Sequence, residues 1–197
     1  MIDLYCSASR RTAPIVDVGP RVYVVLPDAA HGGEDGVRRF ATEGVRRAAD
    51  TIRGRVVGAI GKRVLSVDLV PTSRAEADRA MRVLLGQDTG YDVAQLDDIR
   101  AHANLLELLD VLRERPHLQE GRLEPLITGD NQRGRVLLET LRAYLDHFGD
   151  VTQASRALQV HPNTFRYRLG RIAKVTGLRL DDPAERIMTT LQLQLIT

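Results

Sequence analysis

"DVTQASRALQVHPNTFRYRLGRIAKVTG" occupies residues 150–177. It opens on Asp150, a residue whose side chain satisfies the free N–H groups at the start of a helix, and Gln153 follows three positions on, as a capping box requires. "VTQASRAL" then reads as a short helix. Its Ala154, Ala157 and Leu158 are small or apolar, which lets a neighbouring helix approach closely. "QVH" is a turn. Pro162 suits the first helical position, where its missing N–H costs nothing. "PNTFRYRLGRIAKVTG" is a longer helix, closed by Gly177.

A short helix, a tight turn and a longer basic helix is the helix-turn-helix plan. A helical wheel, advancing ~100° per residue, tests it. With Phe165 set at the core, Leu169 and Ile172 fall within about 40° of it. Asn163, Tyr167, Gly170, Arg171 and Lys174 gather on the opposite side, flanked by Thr164, Arg166 and Arg168. One face is therefore core and the other offers an amide, a phenol and cations. Charge is distributed to match. From Val151 to Leu180 there is no Asp or Glu, while Arg156, Arg166, Arg168, Arg171, Lys174 and Arg179 all lie there. Net charge is only +2, so this local asymmetry, not the total, points to an anionic partner. Arg grips guanine bidentately, Asn does so with adenine, and Lys or Tyr holds phosphate. A helix-turn-helix reads bases from the early residues of its second helix, here Asn163, Thr164, Arg166 and Tyr167.

Composition bounds the rest. The chain has 197 residues, enough for one large domain or two small ones, and 43% are hydrophobic, enough for a core. No run of about 18 apolar residues exists to cross a membrane, and "MIDLYCSASRRTAPIVD" lacks the apolar centre of a secretory signal. Cys6 is the only cysteine, which excludes an internal disulfide and a cysteine-based zinc site. His31, His102, His117, His147 and His161 have no metal-ligand spacing. No metal, cofactor or catalytic residue is expected, and a cytoplasmic protein fits.

Upstream, "RVYVVLP" (21–27) reads as a strand stopped by Pro27. A helix over 35–53 places Val37, Phe40, Ala41, Val45, Ala48 and Ile52 on one face. "RVVGAIG" (55–61) is a second strand. "PTSRAEADRAMRVLLG" is a helix beginning at Pro71, with a Ser73–Glu76 capping box and Ala77, Ala80, Met81 and Leu84 buried. "GYDVAQL" is a short final strand. Ile99, Leu105, Leu106, Leu109 and Leu112 give the next helix an apolar face, and a Gly- and Pro-punctuated hinge follows Pro116. Further on, Leu137, Leu141, Tyr144, Leu145 and Phe148 share a face of a helix ended by Gly149. The last helix is expected to turn Ile187, Met188, Leu191 and Leu195 inward. "GAIGKR" (58–63) fails as a phosphate loop, since Val56 stands where a glycine is required and no Ser or Thr follows Lys62.

The run from "LLETLRAYLDHFGD" to "LQLQL", with "A..L.VH.NT.RYRL.RI" and "G..L.DP" inside it, closely resembles the C-terminal helix-turn-helix domain of PucR/CdaR-type bacterial transcriptional regulators. The resemblance implies a DNA-binding module set behind a domain related to the GGDEF fold, often with a sensory domain further upstream. The upstream elements resemble such a domain in order. The signature of a cyclase would then fall at Val18-Gly19-Pro20-Arg21-Val22, where Pro20 and Arg21 replace the acids a cyclase needs for its metal ions. "GGED" at 32–35 lies after the strand rather than before it, and reads as a polar loop entering a helix.

The expected fold is α+β: a degenerate GGDEF-like α/β-sheet domain over 1–98, a linker helix and hinge over 99–130, and an all-α helix-turn-helix domain over 131–197. The candidate DNA contacts are Gln153, Arg156, His161, Asn163, Thr164, Arg166, Tyr167, Arg168, Arg171 and Lys174. For several of these a structural role competes. His161 is placed to cap the helix, Tyr167 to pack on a neighbour, and Arg168 to pair with an acid. The expected partner is double-stranded DNA, bound by a homodimer paired through residues 99–113, through the upstream domain, or through parts outside this chain. An effector would act through a sensory domain outside this chain. Two other classes compete: a nucleotide-cyclase-like enzyme, and a protein-interaction module with a basic helix.

Overall fold

The computed structural model describes residues 14–26, 32–87, 89–119, 122–128 and 132–196; Cys6, Pro27 and His31 lie outside them. The chain divides into two compact units, Met1–Leu106 and Glu107–Thr197.

The first unit is α+β. Strands β1 (Ile15–Val18) and β2 (Arg21–Val24) form an antiparallel hairpin with Val18 opposite Arg21. Gly19, at φ 60, makes the turn that a side chain would strain. Helix α1 (Gly33–Ile52) follows, then β3 (Gly58–Ile60), α2 (Val70–Gly86) and β4 (Val93–Gln95). β3 and β4 are parallel, with Gly58 opposite Val93, and α2 is the crossover that parallel neighbours require. Ala80, Val83 and Leu84 of α2 pack with Ala94, Leu96, Ile99 and Ala103 to form the core. Gly61 permits this packing: a Cβ there would overlap the Ser73 carbonyl, so no larger residue lets the end of β3 lie against the first turns of α2. The hairpin is fastened to α2 separately. Tyr23 donates its hydroxyl to Asp78 at 2.6 Å, Arg21 pairs with the same carboxylate at 3.2 Å, and Arg74 stands over the Tyr23 ring.

Two expectations fail in this unit. Helix α2 starts at Val70 from Leu69, so Ser73 lies inside it and forms no capping box; Glu76 instead pairs with Lys62 at 3.0 Å. Ile52 is exposed, because it sits at the last helical residue, just before an αL Arg53. "GGED" does lead into α1, with Glu34 and Asp35 in its first turn, where acids favour the helix dipole.

Helix α3 (Arg100–Arg113) spans the division between the units. Leu109 and Leu112 on it are buried and Leu105 and Leu106 half-buried, so much of the face considered for dimer pairing is covered within the chain. The second unit contains two short helices, α4 (Pro116–Gln119) and α5 (Glu124–Ile127), and four longer or paired ones: α6 (Gln132–Asp146), α7 (Val151–Ala157), α8 (Pro162–Thr176) and α9 (Pro183–Leu195). Its core joins Leu137 and Leu141 of α6 to Ile172 of α8, to Leu178 just beyond that helix and to Leu193 of α9, with Leu123 and Leu126 from the segment read as a hinge.

Candidate nucleic-acid interface

Local chemistry builds the two helices of the motif. Asp150 caps α7, its Oδ1 accepting the N–H groups of Thr152 at 2.7 Å and Gln153 at 3.1 Å. The Gln153 amide returns to the Asp150 carboxylate at 3.0 Å rather than to the backbone N–H of a true capping box. Bonds from the Gln153 N–H first, and the Thr152 N–H next, hold the Asp150 carboxyl below the usual carboxylate range. A depressed folded value means a contribution present above the unfolded value of about 3.9 and lost as pH falls through the folded one. The melting temperature of the native chain should therefore exceed that of Asp150→Ala at neutral pH, with a gap that narrows below about pH 4. Thermal melts across that range check this, and a constant gap would contradict it.

The turn is made by Gln159, in the left-handed region at φ 54, with the Val160 N–H closing on the Ser155 carbonyl at 2.9 Å. Helix α8 then starts at Pro162. His161 caps it, Nδ1 accepting the Asn163 N–H at 3.2 Å. Gly177, at φ 69, ends it, donating to the Ala173 carbonyl at 2.8 Å. Phe165 and Ile172 on the inner face are fully buried and Leu169 half-buried, as the wheel requires. Phe165 fits between α6 and α7 because Ala143 and Ala154 leave room for a ring.

The outer face collects the candidate contacts. Asn163, Thr164, Arg166, Tyr167, Arg171 and Lys174 are exposed, as are Gln153 and Arg156 on α7 and the capping His161. Tyr167 is 68% exposed, so it does not pack on a neighbouring helix. Arg166 donates to the Asn163 amide oxygen at 3.0 Å, holding the two side chains together at the start of the helix. Arg168 is half-buried, and among the described residues no carboxylate pairs with it or with Arg156, Arg166, Arg171 or Lys174. Arg179 differs from them: it is bound by Asp182 at 3.0 Å and Glu185 at 3.2 Å. The acid-free stretch thus separates into cations open to an outside anion and one that is spent internally. Among the described residues no cluster of His, Cys, Asp or Glu is placed to hold a metal ion, and no helix is long and apolar enough to cross a membrane.

Two other sequence expectations fail here. Phe148 is not on the α6 face but 96% exposed, since the helix stops at Asp146 and the chain turns through Phe148 at φ 53 and Gly149 at φ 85. On α9 the buried residues are Thr189 and Leu193, while Ile187 and Met188 face outward.

A capped short helix, a left-handed turn and a longer helix with a buried inner face define a helix-turn-helix. Residues 137–195 match the PucR C-terminal helix-turn-helix domain. Over 100 residues the chain is 37% identical to a protein of Thermomonospora curvata described as an uncharacterized protein in the pkwA 5' region, covering 45% of this chain and 55% of that one. Over 73 residues it is 40% identical to the carbohydrate diacid regulator of Escherichia coli, covering 37% of this chain and 18% of that one. The chain therefore spans about half, or less, of the length of these curated relatives. A crystal structure of a regulator of polyketide synthase expression from Bifidobacterium adolescentis aligns over 98% of this chain and 76% of its own, at 18% identity and a TM-score of 0.34.

Proposed function

We propose that this chain is a sequence-specific DNA-binding transcriptional regulator, with α8 entering the major groove. The observation that carries the reading is the outer face of α8: exposed Asn163, Thr164, Arg166, Tyr167, Arg171 and Lys174, with no acid among them, on a PucR-type domain. The Asn163–Arg166 pair supplies the base-reading chemistry, amide to adenine and guanidinium to guanine. Gln153, Arg156, His161, Tyr167, Arg168, Arg171 and Lys174 supply backbone and flanking contacts. The name of the Escherichia coli relative, a carbohydrate diacid regulator, agrees with regulation as the role.

The same reading makes residues 1–98 a degenerate GGDEF-like domain without cyclase activity, residues 99–130 a connector, and the protein a cytoplasmic homodimer answering an effector sensed elsewhere. What supports the GGDEF-like part is the position of Val18–Val22 at a hairpin turn and the parallel crossover β3–α2–β4. Arg21, where a metal-binding acid would be needed, is paired with Asp78 instead. Production of a cyclic dinucleotide from GTP would refute that part.

Selection of bound duplexes from a random pool tests the function directly. Asn163→Ala should cost about 1–3 kcal/mol on the selected duplex and relax preference at one base pair. Lys174→Ala should weaken binding to all sequences and lower the salt slope by about 1. Light scattering of the complex should give two chains, and footprinting should place their half-sites about 34 Å apart, or a multiple of that. Unchanged binding in both folded variants would remove α8 as the reader.

A further inference from the structure

Residues 122–127 lie outside the matched helix-turn-helix and were expected to be hinge, yet they are built into it. Leu123 and Leu126 are buried against Ile172 on the inner face of α8 and Leu178 just beyond its end. Arg122 donates through Nη1 to the carbonyl of Gly177, the residue that ends α8. Its Nη2 stands 3.8 Å from the Glu185 carboxylate, which also receives the Arg179 N–H at 2.8 Å and the Arg179 side chain at 3.2 Å. The last carbonyls of a helix lack internal partners, and a guanidinium satisfies one of them while complementing the helix dipole. Its forked geometry lets one side chain hold Gly177 and α9 at once. An apolar wedge and a two-pronged cation thus meet at the C-terminal end of α8, opposite the residues that would read bases.

We propose that residues 122–127 are a working part of the DNA-reading unit, with Arg122 a positioning residue for α8. This rests on the DNA-binding reading and says what aims the recognition helix. Leverage explains why the far end matters. Phe165 holds α8 near its start, so release at Gly177 lets the helix tilt about that buried ring; a tilt of about 10° moves Lys174, roughly 13 Å from Phe165 at 1.5 Å of rise per residue, by about 2 Å. That displacement exceeds any hydrogen bond's tolerance.

The test uses the full chain, well below its melting temperature. Arg122→Gln should weaken binding to the selected duplex by about fivefold or more, with an unchanged salt slope. In the free protein it should speed amide hydrogen exchange at Gly177 and Leu178. Arg122→Lys should restore part of both, and Leu126→Ala, where it folds, should exceed both. Affinity unchanged in folded Arg122→Gln, or unchanged exchange, would overturn the proposal. So would a salt slope lowered by about 1, which would make Arg122 a phosphate contact. If the native chain binds no duplex, the DNA-binding reading fails by itself, and the exchange rates alone decide whether Arg122 holds α8.

Discussion

Phe165→Ala should destabilise the C-terminal unit by about 3–5 kcal/mol, the cost of emptying a fully buried aromatic site. Phe165 is completely buried. Its buried neighbours are Ala143 and Ala154, whose single methyl groups cannot reach into the void, while Tyr144, Val151, Leu158, Val160 and Leu169 form only the partly buried surround. The space would persist as a cavity rather than close. A small domain has only about 5–15 kcal/mol of total stability, so the loss would consume a large share. Urea unfolding followed by helical circular dichroism should show the transition of this unit at markedly lower denaturant. DNA binding should fall with it, because Phe165 is the residue that seats α8 against α6 and α7. A cost below about 1 kcal/mol, the ordinary effect of a point change, would mean the ring is not the keystone of this packing.

Gly61→Ala should strike the other unit. The added methyl carbon would stand 2.8 Å from the carbonyl carbon of Ser73 and closer still to its oxygen. These are backbone atoms within α2, so no rotamer change relieves the overlap, and the end of β3 must separate from the helix. Overpacking costs about 1–3 kcal/mol where side chains can adjust, so a clash with backbone belongs at or above the top of that range. Ala80, Val83 and Leu84, farther along α2, pack with Ala94 beside β3, so displacement would loosen the core of the unit. Amide exchange resolved by residue should show lost protection in β3 and α2, with α6–α9 unaffected. A fully protected β3 in this variant would contradict the steric argument. Together the two substitutions assign separate unfolding events to the two units.

The helix-turn-helix was legible because its signals are local. Asp150, Pro162 and Gly177 act on the backbone within a few residues, and Phe165, Leu169 and Ile172 share a face whatever surrounds them. The absence of acids from Val151 to Leu180 is likewise a property of the chain, and it marks the face that is left exposed. Among the ten candidate contacts, His161 shows the limit of this reasoning. Its place before Pro162 allowed both a cap and a phosphate contact, and only the geometry shows Nδ1 occupied by the Asn163 N–H.

Periodicity says which residues share a face, but packing decides which face is covered. On α9 the apolar set Ile187, Met188, Leu191 and Leu195 suggested the inner side, yet Thr189 and Leu193 are buried, and Thr189 lies about 200° from Ile187 on the wheel. Phe148 fitted the α6 pattern only if the helix continued, and the left-handed turn through Phe148 and Gly149 ends it first. Leu123 and Leu126 sat in a segment dense in Gly and Pro, with too few residues for a helical period to stand out. Their burial depends on α8 and α9 arriving from some 50 residues further along the chain. The motif, its caps and the chemistry of its outer face were readable along the chain, because those follow from sequence neighbours. The seating of α9, the close approach at Gly61 and the hold of Arg122 on α8 were decided only by the tertiary structure, because each depends on which distant surfaces meet.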